Sequence, residues 1–293
     1  MGKIKCLDCQ TVANTLKRYW QSICNFIAMK LALLSFFVSI TVTLVGQTTE
    51  WKLAFSLPMK MNQAKLDQLN NIYTIHKSEV LKLDSYGKEL NRYSNKLIGD
   101  DVHIDITNPM KVLLYSPDQM QIFTLDSRLG EMNETINFFR DGYEQISLVA
   151  ASHSNGMWLY DPINFVLIRL DDKLNEDRRS LNIAQLLRLQ LYPTDVIEVN
   201  DKVYLTDPAH GVFVFDIFGN YVKKVPIKGI EHLVINDGRM FFFEDQTLKT
   251  FRFVDSSIQE VPVDLGPVDF FWVNRNRIVS LNSKGINIYQ AIR

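Results

Sequence analysis

Beyond residue 24 the chain has no cysteine; Cys6, Cys9 and Cys24 are the three it contains. Disulfides and thiol chemistry are therefore excluded from residues 47–293, which must be held together by an apolar core. The Cys6-x-x-Cys9 pair lacks a second ligand pair to complete a zinc set. Charge of one sign is also lacking. A formal net charge of −1 leaves no electrostatic footprint for nucleic acid or an anionic membrane. Only one stretch is long and apolar, residues 31–46, uncharged over sixteen positions. That is short of the roughly 20 residues a spanning helix needs. No Gly-rich phosphate loop, G-x-S-x-G elbow or H-E-x-x-H pair occurs.

What is present begins with that apolar stretch. Met29-Lys30 precedes it and Gly46 closes it before Gln47. A positive residue, a short apolar run and a small residue at its end describe a secretory signal over residues 29–46, or a membrane anchor if it stays uncleaved. Residues 1–28 read as an N-terminal extension, with Met29 as an alternative translation start. Residues 47–293 carry 27 Lys and Arg against 32 Asp and Glu, a net charge of −5. This stretch is expected to be the folded domain, exported to the periplasm or cell envelope.

Residues 47–293 read as short strands that alternate apolar and polar residues, with turn residues every six to ten positions. A unit recurs. Asn70-Asn71, Asn155-Gly156, Asn200-Asp201, Asn236-Asp237-Gly238 and Asn274-Arg-Asn276 each precede a strongly apolar strand, with Asn108-Pro109 a looser sixth case. Asn and Gly tolerate the positive φ angles of tight hairpins. The following strand ends on Asp84, Asp126, Asp171 and Asp216, which are 42, 45 and 45 residues apart. A period in the low forties with four strands per unit is the signature of propeller blades.

The expected fold is therefore all-β: a six-bladed β-propeller with four-stranded blades. The sixth unit has three strands, at 268–273, 277–281 and 285–290, while Trp51–Leu57 is a strand without a unit. Pairing the two closes the ring and removes an open edge. Between the third and fourth units, residues 181–191 are rich in Leu and Gln and read as a short helix that caps the ring or marks a partner-binding edge.

The stretch from Tyr204 to Tyr221, with Leu69-Asn-Asn-Ile-Tyr-Thr-Ile75, Gly142-Tyr-Glu-Gln-Ile-Ser-Leu-Val149 and Trp158-Leu-Tyr-Asp-Pro162, resembles a family of exported β-propeller proteins from Bacteroidetes-type bacteria. The resemblance covers about residues 50–293. It implies fold and compartment and no reaction. More loosely, the units resemble NHL-like six-bladed repeats, a shape that hosts both binders and enzymes.

Two sets of polar residues are candidates for function. Toward the axis lie His103, Asp105, Glu144, Glu198, His232 and Asp269. His103 and Asp105 are two apart and share a strand face. These residues either solvate a wet channel and cap turns, or gather enough oxygens for Ca²⁺. The turns between second and third strands form a rim: His76, Asp118, Asp161, Asn164, Asp207, His210, Glu244 and Asp245. Asp-Pro also starts turns for local reasons. The strand aromatics, among them Trp158, Phe213, Phe242 and Trp272, are expected in the core between blades.

The expected function is a non-catalytic binding or scaffold module, a monomer that presents its loops to a protein or glycan partner in the envelope. No cofactor is required. The alternative is a Ca²⁺-dependent hydrolase or lyase that uses the central channel.

Overall fold

The computed structural model describes residues 17–23, 50–99, 101–132 and 135–292. The chain divides into two compact units, Met1–Thr48 and Thr49–Arg293. In the first, residues 17–23 are helical and exposed. The expected boundaries at 28/29 and 46/47 lie outside the described residues. Among the described residues no helix is long and apolar enough to cross a membrane.

The second unit is a six-bladed β-propeller. After β1 (Glu50–Leu57) come five complete four-stranded antiparallel blades. Blade 1 is β2 (Gln63–Leu66), β3 (Ile72–His76), β4 (Glu79–Leu83) and β5 (Glu89–Ser94). Blade 2 is β6 (His103–Asp105), β7 (Val112–Ser116), β8 (Gln121–Leu125) and β9 (Ile136–Asn137). Blade 3 is β10 (Leu148–Ala151), β11 (Met157–Asp161), β12 (Val166–Leu170) and β13 (Glu176–Arg179). Blade 4 is β14 (Asp195–Val199), β15 (Lys202–Asp207), β16 (Gly211–Asp216) and β17 (Tyr221–Val225). Blade 5 is β18 (Val234–Asn236), β19 (Arg239–Glu244), β20 (Thr247–Arg252) and β21 (Ile258–Glu260). Blade 6 has β22 (Phe270–Asn274), β23 (Arg277–Asn282) and β24 (Gly285–Ile292), and β1 joins it as the fourth strand.

The apolar residues form six clusters, one in each gap between neighbouring blades. Successive side chains of a strand point to opposite sheet faces. Along β7, Val112 and Leu114 pack toward blade 1, whereas Leu113 and Tyr115 pack toward blade 3. Because both faces are covered, the middle strands are apolar almost throughout, and β11 is buried at every position. Trp158, Tyr160, Phe213, Phe215 and Phe242 are fully enclosed in these layers.

The recurring turn residues have two distinct roles. Asn200 and Asp201 both adopt positive φ, 52° and 57°, the pair of angles that suits a two-residue hairpin between twisted strands. Asn108 acts through its side chain instead, accepting from the Met110 N–H at 3.0 Å. The repeated aspartates brace the turn between third and fourth strands. Each carboxylate of Asp84, Asp126, Asp171 and Asp216 accepts from the backbone N–H two and four residues on, at 2.8–2.9 Å. Those bonds hold Asp84, Asp126 and Asp171 below the usual carboxylate range. In Asp216 burial works the other way, and the Asn220 and Phe218 bonds outweigh it.

The helix expected in residues 181–191 is present as α1 (Ile183–Leu187), one short turn. Asn182 caps it, accepting from the Gln185 N–H at 2.8 Å. Ile183, Leu187, Leu189 and Leu191 pack into the layer between blades 3 and 4, so the segment fills an inter-blade gap.

Closure follows the expected pairing. β1 runs antiparallel to β24 from Glu50↔Ile292 to Leu57↔Ile286, with a bulge between Leu53 and Phe55. Phe55 and Leu57 pack into the layer between blades 6 and 1. Gly285 starts β24 at φ 137°, and a Cβ there would overlap the carbonyl oxygen of Leu57. Gly285→Ala is expected to destabilise the domain by about 2–3 kcal/mol, and deletion of residues 50–57 to abolish cooperative unfolding, both read by thermal denaturation.

The turn aspartates set a pH dependence. Their folded-state values lie below the unfolded ones, so their contribution is complete above the ordinary Asp range and is lost as pH falls through it. Between about pH 5 and pH 3 the melting temperature of the wild type should fall more steeply than that of the D84N/D126N/D171N/D216N variant, because asparagine keeps an acceptor but does not titrate.

Candidate functional site

The first strand of every blade lines the central channel. Strand pairing gives an equivalent position in each blade: Gln63, His103, Leu148, Asp195 and Phe270 lie opposite Ile75, Tyr115, Tyr160, Thr206 and Leu281. His232, two residues ahead of Val234, holds the same place in blade 5. The channel encloses a cavity of about 330 Å³ to which all six blades contribute. A second cavity of about 410 Å³ opens above it at the connector-bearing face. The two share three residues, His103, Leu148 and His232, which form the neck between them.

Each innermost strand is a sheet edge, with backbone groups that no further strand can satisfy. Side chains from the neighbouring blade take them up. Gln63 Nε2 and Lys65 Nζ donate to the carbonyls of Val102 and Ile104 at 3.3 and 2.8 Å. Asp105 Oδ2 accepts from the Ala151 N–H and Asp195 Oδ2 from the Leu233 N–H, both at 2.8 Å. Thr194 Oγ1 donates to the Glu231 carbonyl, and Asn274 Nδ2 to that of Asp67, both at 2.7 Å. The channel carboxylates thus bind one blade to the next. Burial pushes the Asp195 carboxyl up, against Lys65, the Leu233 N–H and His103, which pull it down. Burial also pushes the His103 and His232 imidazoles down, which favours their neutral forms.

Of the six residues expected at the axis, the five on or beside first strands separate by strand parity. His103, Asp105 and His232 line the channel cavity. Glu198 lies three residues after the ring position of its strand and Asp269 one residue before, so both point to the opposite sheet face. Asp269 lines a separate cavity of about 170 Å³ between blades 5 and 6. Glu144 is exposed in the connector to blade 3. The sequence reading missed Gln63, Lys65 and Asp195. Aligning the blades on the strand that follows each Asn turn puts all three in the ring or two residues beyond it.

Glu198 sits in a dense network between blades 3 and 4. It accepts from Ser152 Oγ at 2.5 Å, Trp158 Nε1 at 2.6 Å, the His153 N–H at 3.0 Å and His153 Nδ1 at 2.9 Å. Arg169 donates to Ser152 Oγ and to Asp177 at 2.8 and 2.6 Å. Burial raises the Glu198 carboxyl, but the four hydrogen bonds outweigh it and hold it below the usual range. Ser152 Oγ also lies 3.4 Å from His153 Nδ1, the same ring nitrogen that is 2.9 Å from Glu198. In a catalytic triad the imidazole bridges serine and carboxylate through its two different nitrogens, and here Ser152 donates directly to the carboxylate.

The rim residues are also largely engaged. Asp161 accepts from Ile163 N, Asn164 N and Asn164 Nδ2 at 2.8–2.9 Å. Asp207 accepts from Ala209 N, His210 N, His210 Nδ1 and Tyr192 N at 2.7–3.0 Å. His76 Nδ1 lies 3.2 Å from Asn62 Oδ1, and Glu244 pairs with Lys249 at 2.8 Å. Asp245 occupies a left-handed turn position, φ 51°. Asp118 alone of the rim set lines the mouth cavity with His103 and His232. Among the described residues no three His, Cys, Asp or Glu side chains are placed to hold one metal ion.

No protein-family model matches the chain, and no curated protein matches it. Solved structures do. A streptogramin B lyase superposes with a TM-score of 0.57 at 9% identity, covering 83% of this chain and 98% of that one. Virginiamycin B lyase from Staphylococcus aureus gives 0.58 at 11% identity, covering 83% and 100%. The β-propeller domain of Cps50 (Swd1) from Myceliophteria thermophila gives 0.57 at 9% identity, covering 83% and 100%. At these identities the likeness is one of fold, and it confirms the class: a closed β-propeller.

Removing the Glu198 carboxylate takes the acceptor from the buried Trp158 indole N–H and the half-buried Ser152 hydroxyl, as well as from two donors of the exposed His153. Glu198→Ala should cost about 3 kcal/mol in chemical denaturation, and Glu198→Gln a smaller amount.

Proposed function

We propose that this propeller is a non-catalytic binding module that presents its connector-bearing face to a protein partner. The observation that carries the reading is a group of exposed apolar side chains on the connectors and turns of adjoining blades. The connectors and second turns of blades 2–4 hold Phe139, Ile163, Leu181, Leu186 and Tyr192, with Phe139, Leu181 and Tyr192 each about 70% exposed. α1 and the blade 3 turn are joined there, through Asn182 Nδ2 to the Asn164 carbonyl and the Ile183 N–H to the Phe165 carbonyl. These hydrogen bonds tie neighbouring members of the group together, and contiguous exposed apolar groups mark interaction surfaces. The polar residues that a catalytic reading requires, Asp105, Glu198, Asp161 and Asp207, are engaged in holding blades and turns. An apolar rim favours a protein over a glycan.

The compartment we infer is the bacterial cell envelope, reached through the leader at residues 29–46. In the native host the mature protein is expected to start at Gln47 by N-terminal sequencing. Chemical cross-linking should capture one stoichiometric partner from envelope extracts, lost with Leu186→Asp and Tyr192→Ala and retained with Glu244→Gln. Capture indifferent to the two apolar-rim variants would refute the reading.

A further inference from the structure

We infer that the neck of the channel, between His103, His232 and Asp195, is a binding site for an organic cation carrying an alkylammonium or alkylguanidinium group. The inference goes beyond the apolar-rim reading, and neither requires the other.

The neck joins two cavities, with His103 from blade 2 and His232 from blade 5 in its wall, and Asp195, at the ring position of blade 4, lines the channel cavity beside them. Three of its polar groups have hydrogen-bonding capacity left over. Asp195 engages Oδ2 with Leu233, while Oδ1 has no partner among the described residues. The channel wall encloses this carboxylate, and its remaining exposure is to the cavity itself. Neither imidazole hydrogen-bonds to a described residue. His103 Nε2 is 3.8 Å from Asp101, and the His232 ring packs on Phe270 with centroids 5.2 Å apart. A neutral imidazole presents one ring nitrogen as an acceptor.

Charge selects the ligand. The mouth above the neck is lined by Asp101, Asp118 and Glu231, and no lysine or arginine lines it. The basic groups of the adjoining channel cavity are Lys65 and Arg275; neither lines the mouth, and Lys65 is close enough to act on Asp195, His103 and His232 and to supply part of the carboxylate's counter-charge. Lys65 is held by the Ile104 carbonyl and lies 4.9 Å from the Trp272 ring centroid, which limits how deep a second cation can go. A point ion does not fit, because no three of these acceptors converge. An organic cation does: its N–H groups diverge and reach separate acceptors, and the combined space of the two cavities admits its alkyl chain. A free amine and a basic side chain of a polypeptide share this chemistry.

The test is calorimetric titration of the full chain with agmatine, with N-acetyl-arginine methylamide and with its uncharged isostere N-acetyl-citrulline methylamide. At least one of the two cations is expected to bind saturably with a Kd below about 1 mM, and the citrulline compound not to bind. Binding of agmatine alone assigns a free amine, and binding of the arginine compound assigns a polypeptide side chain. Asp195→Asn keeps an oxygen for the Leu233 N–H and removes the charge, so affinity should fall by about tenfold or more at unchanged melting temperature. If that variant fails to fold, exposed Asp118→Asn replaces it, with a smaller expected loss. The inference is overturned if neither cation binds, if citrulline binds equally well, or if the folded charge-removal variant binds as tightly as wild type. Leu186→Asp and Tyr192→Ala leave this binding intact, so failure here is distinct from failure of the rim reading.

Discussion

Closure of the ring is the constraint on which the rest of this structure depends. Each blade buries both of its faces, and each face needs a neighbour; six inter-blade layers exist only if blade 6 meets blade 1. β1 makes that possible by pairing with β24 across a sequence separation of more than two hundred residues. It gives blade 6 its fourth strand and brings Phe55 and Leu57 into the last layer. An open ring would leave two apolar faces and a strand edge in water. Gly285 is the local expression of this demand, since the bend at the start of β24 and the approach of Leu57 leave no room for a side chain.

A second constraint follows from the geometry of blades around an axis. Their inner strands are edges that cannot be paired, because the channel lies beyond them. Polar side chains from the adjoining blade complete the hydrogen bonding, and so a channel that looks rich in reactive groups is mostly a set of inter-blade ties. Asp105, Gln63 and Lys65 are of this kind. At the neck, two imidazoles and one carboxylate oxygen have no such task. Function on this scaffold is most economically sought where wall-building leaves acceptors over, and on the connectors, where apolar side chains find no blade to pack against.

Much of the fold was legible in the chain itself. The Asn turns and the aspartates at Asp84, Asp126, Asp171 and Asp216 marked the blades because each does a fixed local job: opening a hairpin or bracing a turn with its own carboxylate. Trp51–Leu57 was recognisable as the closing strand because it alternated like a strand and had no unit of its own. The candidate site was only partly legible. His103, Asp105 and His232 line the channel cavity, whereas Glu198 and Asp269, similar in polarity, lie on the other face of their strands.

The sequence by itself determined what is local and periodic: strand, turn, blade and the number of blades. Alternation and turn chemistry act within a few residues, so each unit carries its own instructions. Only the tertiary structure decided which polar side chains share a space. A one-residue offset moves a side chain to the other face of its sheet, and partners such as Ser152 and Glu198 or His103 and Asp195 come from different blades. Their meeting depends on how the blades turn about the axis, a relation that no single stretch of the chain contains.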